Sequence, residues 1–149
     1  MALFFVVNML LLDNFTSGQW APAGPNPTPL LDAVHGHAVA GVDASNVDLD
    51  AACRFARDTG SVNLRRMTFQ QRGLMLKALA LHLMANKEKI YAWSAHTGAT
   101  RSDSWVDIEG GIGTMFAYAS LRKQLPDLPY LVDGDPAMLS KGGSFIGHH

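Results

Sequence analysis

Between Ala92 and Leu121 the chain reads AWSAHTGATRSDSWVDIEGGIGTMFAYASL, and within it Trp105, Ile108, Ile112, Met115 and Ala119 recur at steps of three and four. That spacing puts five apolar side chains on one face of an α-helix, with Asp103, Asp107, Gly110 and Thr114 opposite them. A helix with one apolar side needs an apolar surface to lie on. Whether this chain supplies that surface by itself is therefore the question its fold has to answer.

The same period recurs upstream. Ser45 or Asn46 is placed to cap a helix near residues 47–59, with Leu49, Ala52, Cys53 and Ala56 inward and Gly60 as its stop. Cys53 then reads as a core thiol, because mid-helix on an apolar face it has neither a base nor a helix N-terminus to lower its pKa. Thr68 and Gln71 form a capping box that opens a helix over 69–86, with Phe69, Leu76, Leu79 and Leu83 inward. A third helix over 87–97 places Ile90, Trp93 and Thr97 on one side and ends at Gly98. Ser102 or Asp103 is expected to cap the fourth, over 103–121.

The N-terminal part is of a different kind. Residues 1–12 are apolar except for Asn8, with no Lys or Arg before Arg54, which suits a buried or frayed segment better than a secretory signal. Twelve residues are also too few to span a bilayer, which takes roughly 20. FTSGQW reads as a short strand or turn, and Pro22, Pro25, Pro27 and Pro29 exclude a helix after it. Leu30–Val34 and Ala38–Val42 read as a β-hairpin around His35, Gly36 and His37. After Leu121, Pro126, Pro129, the Asp133-Gly134 turn signal and Pro136 make residues 122–149 an extended tail, with a short strand at Ser144–Ile146. The fold class expected is mainly α with a short β or extended N-terminal part.

Several functions are disfavoured by what the residues lack. The net charge is -1, with Lys and Arg scattered singly, so no basic stripe invites nucleic acid. One cysteine allows no internal disulfide, which fits a reducing compartment. His35 and His37 make a weak metal site without a third ligand nearby, and His82 reads as a surface residue of an amphipathic helix. The terminal His148 and His149 are too sparse for a metal site. Arg65, Arg66 and Arg72 cluster at a helix start, where cations oppose the dipole, so they read as solvated or carboxylate-paired. Gly110, Gly111 and Gly113 lie inside a helical pattern and do not follow a strand, so close packing of a neighbouring element explains them better than a dinucleotide site does. Asp107 and Glu109, two residues apart, point to different sides of a helix and form no acid/base pair. No catalytic, cofactor-binding or metal residue is assigned.

The order SGQW, hairpin, DLDAACRFARDTG and RRMTFQQRGLMLKALALHLMANKEKIYAWSAHTGATRSDSW resembles the N-terminal part of the aldehyde dehydrogenase superfamily. The features that carry this are Gly18 and Trp20 as G-x-W, the helix bearing Arg72, and the helix end at Thr97 and Gly98. TGATRSDSWVDIEGGIGTMFAYASL followed by LSKGGSF is similar to the bifunctional members of that superfamily from bacterial phenylacetate degradation, which join a semialdehyde dehydrogenase domain to a ring-opening hydrolase domain. The resemblance implies an N-terminal fragment of the α/β aldehyde dehydrogenase fold, with residues 1–14 as an apolar extension and residues 15–149 as an incomplete N-terminal region.

It also implies NADP-linked oxidation of a CoA-bound semialdehyde by a cytoplasmic, homo-oligomeric full-length protein. The remainder of the dehydrogenase domain is the expected partner, with neither nucleic acid nor membrane involved. In the superfamily the oxyanion Asn, the cofactor-holding Lys and Glu, the general-base Glu and the nucleophilic Cys all come later, and Cys53 is not that cysteine. No cofactor is therefore expected on this chain alone, which should be inactive and prone to aggregate. The semialdehyde dehydrogenases of the benzoyl-CoA pathway are a close variant. A non-catalytic helical module pairing through the Trp105 face is the reading from a different class.

Overall fold

The computed structural model describes residues 9–132 and 134–147. The residues before Met9, Asp133 of the expected turn, and the terminal His148 and His149 lie outside the described part. Strand β1 (Leu10–Leu12) leads into a hairpin of β2 (Asn14–Thr16) and β3 (Gln19–Ala21), then β4 (Thr28–Leu31) and β5 (Ala38–Val42). The helices follow: α1 (Leu49–Phe55), α2 (Ser61–Arg66), α3 (Phe69–Ala85), α4 (Lys87–Ser94) and α5 (Arg101–Ser120). A closing hairpin is made of β6 (Ala137–Ser140) and β7 (Gly143–Phe145).

The hairpin expected around His35–His37 is present as the antiparallel pair β4–β5, its second strand at the expected Ala38–Val42 and its first at Thr28–Leu31, where Leu30–Val34 was expected, because Ala33 and Val34 are taken up by the bend. Strand β5 is the centre of a three-stranded sheet, because β1 pairs with its other edge in parallel, Leu10 opposite Ala40 and Leu12 opposite Val42. Leu10–Leu12, within the stretch read as an extension, is thus part of this sheet. It is not buried: Leu10 and Leu11 are about half exposed.

The helix expected over 47–59 is corrected in three ways. Its cap is Asp48, whose carboxylate accepts from the Ala51 N–H at 2.8 Å. Ser45 and Asn46 are used elsewhere, the Ser45 N–H on the Asp43 carboxylate and the Asn46 amide on the Pro22 carbonyl. Gly60 does not stop the helix. It keeps right-handed helical angles at the end of a π-helical turn (Ala56–Gly60), and the chain runs on into α2. A glycine ends a helix only by adopting the left-handed conformation, and the break comes at Met67, whose ψ is 140°. Cys53 is exposed and α1 buries no residue, so the core-thiol reading is wrong. An apolar stripe marks a face that could be covered, and no described element covers this one.

The Thr68–Gln71 capping box forms as expected, the Thr68 hydroxyl accepting from the Gln71 backbone N–H at 3.2 Å and the Gln71 side-chain oxygen Oε1 accepting from the Thr68 N–H at 2.9 Å. A second box opens α5, and its cap is Thr100 where Ser102 or Asp103 was expected. The Asp103 carboxylate accepts from the Thr100 N–H at 3.0 Å, which makes Asp103 the reciprocal partner of the cap. Thr100→Ala should cost about 1 kcal/mol, read as a lower midpoint of helix melting by circular dichroism. Between the boxes, α4 passes through a 3-10 turn (Ala95–Thr97) to Gly98, which takes φ 82° and ends the helix where the sequence places its end.

Helices α3 and α5 pack antiparallel. Gly73 near the start of α3 lies against Ala119 and Arg122, while Leu83 near its end shares a groove with Ile108 and Ile112. Ala80, Ile112 and Ala119 are buried in this contact. The inward side of α3 passes through Ala80, and Leu79, expected inward, is 49% exposed. On α5 the expected stripe is divided: Ile112 and Ala119 are buried, Ile108 and Met115 partly so, and Trp105 is 56% exposed.

Helices α4 and α5 are joined by polar contacts. The Glu109 carboxylate accepts from Lys87 Nζ at 3.0 Å and the Tyr91 hydroxyl at 2.9 Å, and these two bonds hold its pKa below the usual carboxylate range. Arg101 lies over the Tyr91 ring and donates to both Glu88 oxygens. Tyr91, not Ile90 or Trp93, is the buried residue of α4.

No large side chain among the described residues is fully buried. Leu74, Leu81, Val106 and Tyr118 each expose more than half of their surface. The helices thus present broad apolar faces that no described element covers.

Candidate functional site

The densest group of titratable side chains outside the α4–α5 contact is centred on Asp32. This residue follows β4, and the bend after it returns the chain to β5 through His35, Gly36 and His37. Its backbone fixes the bend: the Asp32 N–H donates to the His37 carbonyl at 2.8 Å and the Gly36 N–H to the Asp32 carbonyl at 2.9 Å. Gly36 takes φ 72°, a left-handed angle that suits glycine at the tip.

Both carboxylate oxygens of Asp32 are engaged. Oδ1 accepts from the N–H of Val34 (2.9 Å) and of His35 (2.7 Å), and from Nδ1 of His35 (3.0 Å). Oδ2 accepts from Nδ1 of His96 at 2.8 Å, across 64 residues of sequence. The Ala33 N–H donates to the His96 carbonyl at 2.9 Å, so the bend is doubly tied to the end of α4. Asp32 is only 6% exposed. The His96 bond, then the His35 N–H, hold its carboxyl well below its ordinary value of 3.8.

The sign of this shift sets a pH dependence. A carboxyl with a lower pKa in the folded state stabilises fully above its unfolded value and less as pH falls through the folded one. The tie between the bend and α4 should therefore weaken from about pH 4 downward. In acid titrations followed by Trp93 fluorescence, Asp32→Asn should flatten the response below that pH. An unchanged profile would show that Asp32 does not govern it.

Beside this group lies an apolar pocket of about 490 Å³ between the sheet and the end of α4, lined by Leu12, Leu30, Val39, Trp93 and His96 among others. His96 is oriented by a carboxylate, as a general base would be, but no Ser, Thr or Cys side chain among the described residues hydrogen-bonds to a histidine. Cys53 lies exposed on α1. Sequence reasoning named His35 and His37 but not Asp32 or His96. The local signal available for Asp32 was an Asx residue opening a bend, and nothing local announces His96.

The remaining candidates fall apart. Of the two roles expected for these arginines, solvated or carboxylate-paired, the solvated one is found: Arg65 and Arg66 are exposed, Arg65 donates to the Ser61 carbonyl, and Arg72 donates to the Pro129 carbonyl and lies over the Phe69 ring. Their cationic groups find carbonyls and a ring because no acidic side chain is placed at the start of α3. Gly110, Gly111 and Gly113 lie within α5, where the backbone N–H groups serve the helix, so they form no phosphate cradle and do not fit a nicotinamide cofactor. The packing reason expected for them is not met either. Among the described residues nothing outside the helix backbone lies within 4 Å of a Cβ built on any of the three, and the closely packed helix glycine is Gly73. No helix among the described residues is long and apolar enough to cross a membrane.

Comparison with known proteins extends this picture. The sequence profile of the aldehyde dehydrogenase family matches residues 20–135. The chain is also similar to a 3,4-dehydroadipyl-CoA semialdehyde dehydrogenase from Aromatoleum evansii, with 32% identity over 139 residues. That alignment covers 93% of this chain and 27% of the relative, so the chain spans about a quarter of the length of the relative it matches.

Proposed function

Since the chain belongs to the aldehyde dehydrogenase family, we propose that it supplies the N-terminal helical part of an oxidoreductase that oxidises a CoA-linked semialdehyde to the acid. The observation that carries this reading is the 32% identity, over nearly the whole chain, to a dehydrogenase named for a CoA semialdehyde. The phenylacetate pathway is the finer assignment, resting on the stretch TGATRSDSWVDIEGGIGTMFAYASL, and the benzoyl-CoA pathway would use a substrate of the same class. NADP is the proposed oxidant. The described residues offer it no cradle, so its site is assigned to the remainder of the dehydrogenase domain.

That remainder is also the proposed partner of the exposed faces of α3 and α5, within a cytoplasmic homo-oligomer. Leu74, Leu81, Val106 and Tyr118 support this, because so much apolar surface left in water costs about 25 cal/mol per Å². The test is the protein expressed from the gene that encodes this chain, assayed with NADP and with NAD on CoA-linked and CoA-free aldehydes. A kcat/KM at least about tenfold higher for the CoA-linked semialdehyde is expected. Equal oxidation of the CoA-free aldehyde would contradict the substrate class.

A further inference from the structure

The bend between β4 and β5 brings a third ligand to the two histidines that sequence alone leaves as a pair. Ligand atoms of Asp32, His35 and His37 all lie within 4.8 Å of one another. From this geometry we propose that Asp32, His35 and His37 form a binding site for a divalent ion of the zinc class.

Two imidazoles and one carboxylate make a borderline donor set that suits zinc and its neighbours better than the oxygen-seeking calcium or magnesium. Zinc bonds of about 2.0–2.2 Å place tetrahedral ligands about 3.3 Å apart. The 3.0 Å separation of Asp32 Oδ1 and His35 Nδ1 is already close to that. His37 has to close by at most about 1.5 Å, within reach of an exposed side chain that changes rotamer.

The site has features that a chance surface cluster lacks. Asp32 is nearly buried and its backbone is held by the bend, so the carboxylate is positioned before an ion arrives. Its second oxygen accepts from His96 Nδ1 at 2.8 Å, an outer contact of the kind that orients a metal-binding carboxylate. Gly36 at the tip, with φ 72°, turns the chain so that the rings of His35 and His37 lie 5.9 Å apart. The ion would take the place of the hydrogen between His35 Nδ1 and Asp32 Oδ1. The ring then binds through the Nδ1 lone pair as its Nε2–H tautomer, the displaced proton passing to Nε2 through solvent, and a water completes the coordination.

The test is calorimetric titration of the full chain with zinc sulfate. Saturation at one ion per chain is expected, with affinity falling at least about tenfold in His37→Ala and in His35→Ala. Both side chains are exposed, so circular dichroism should show the fold of each variant intact. The control variants His82→Ala and His148→Ala/His149→Ala should bind as the parent does. Absence of saturable binding, binding unchanged in His37→Ala, or binding lost only in the control variants would overturn the proposal.

Discussion

Replacing Gly73 with valine is expected to force α3 and α5 apart and lower the stability of the chain by about 2 kcal/mol. A Cβ at this position would lie 2.8 Å from the Arg122 Cβ and 3.0 Å from the Ala119 carbonyl oxygen. Neither is the free end of a flexible side chain. Relief therefore requires the end of α5 and the following 3-10 turn (Leu121–Gln124) to move. That movement would also strain the hydrogen bonds from the Gln70 amide to the carbonyls of Arg122 and Leu125. Valine gains only a few tenths of a kcal/mol over glycine in helix propensity, too little to offset the overlap. The reading is a lower urea midpoint by circular dichroism. An unchanged midpoint would mean that the two helices do not meet at Gly73.

The reverse effect is expected on α5. Gly110→Ala, Gly111→Ala and Gly113→Ala together should stabilise the isolated chain by about 2 kcal/mol, because each mid-helix glycine costs roughly 0.5–1 kcal/mol relative to alanine. Among the described residues nothing within 4 Å opposes the added methyl groups. Between them these substitutions separate two meanings of a helical glycine. At Gly73 the space of the missing Cβ is filled by a neighbour, whereas at residues 110, 111 and 113 it opens onto a surface that the described residues leave uncovered. A fall in the urea midpoint of the triple variant would show that these glycines contact the chain itself.

The same contrast explains what could be read in the sequence. The capping box at Thr68, the stop at Gly98 and the hairpin around Gly36 rest on interactions a few residues long, and the first two are found where the residues place them. The hairpin is found with its first strand at Thr28–Leu31, shifted from the expected Leu30–Val34 because Ala33 and Val34 belong to the bend that Asp32 holds. The cap of α5, Thr100, lies two or three residues before the expected Ser102 or Asp103. Ser102, Asp103 and Thr100 are all competent caps, and only the reciprocal bond from Asp103 selects Thr100. Periodicity identified the apolar faces of α1, α3 and α5 without saying whether this chain covers them. Cys53, Leu79 and Trp105 all lie on apolar stripes, and all are exposed.

The candidate site was half legible for a related reason. His35 and His37 stand out as neighbours in sequence. Asp32 matters because its two oxygens face opposite ways, one toward the bend and one toward His96, 64 residues on. That second contact is made by tertiary structure alone. It comes from seating the end of α4 beside the bend, where the Ala33 N–H meets the His96 carbonyl.

The most direct test of the proposed division between this chain and the chemistry of its family is an assay of the purified 149-residue chain with NADP and a CoA-linked semialdehyde. No reduced cofactor is expected to form. Cys53 is exposed, no side chain among the described residues hydrogen-bonds to it, the α5 glycines offer no phosphate cradle, and the oxidation is assigned to the remainder of the dehydrogenase domain. Sustained NADP reduction by the 149-residue chain alone, abolished by Cys53→Ser, would contradict that assignment.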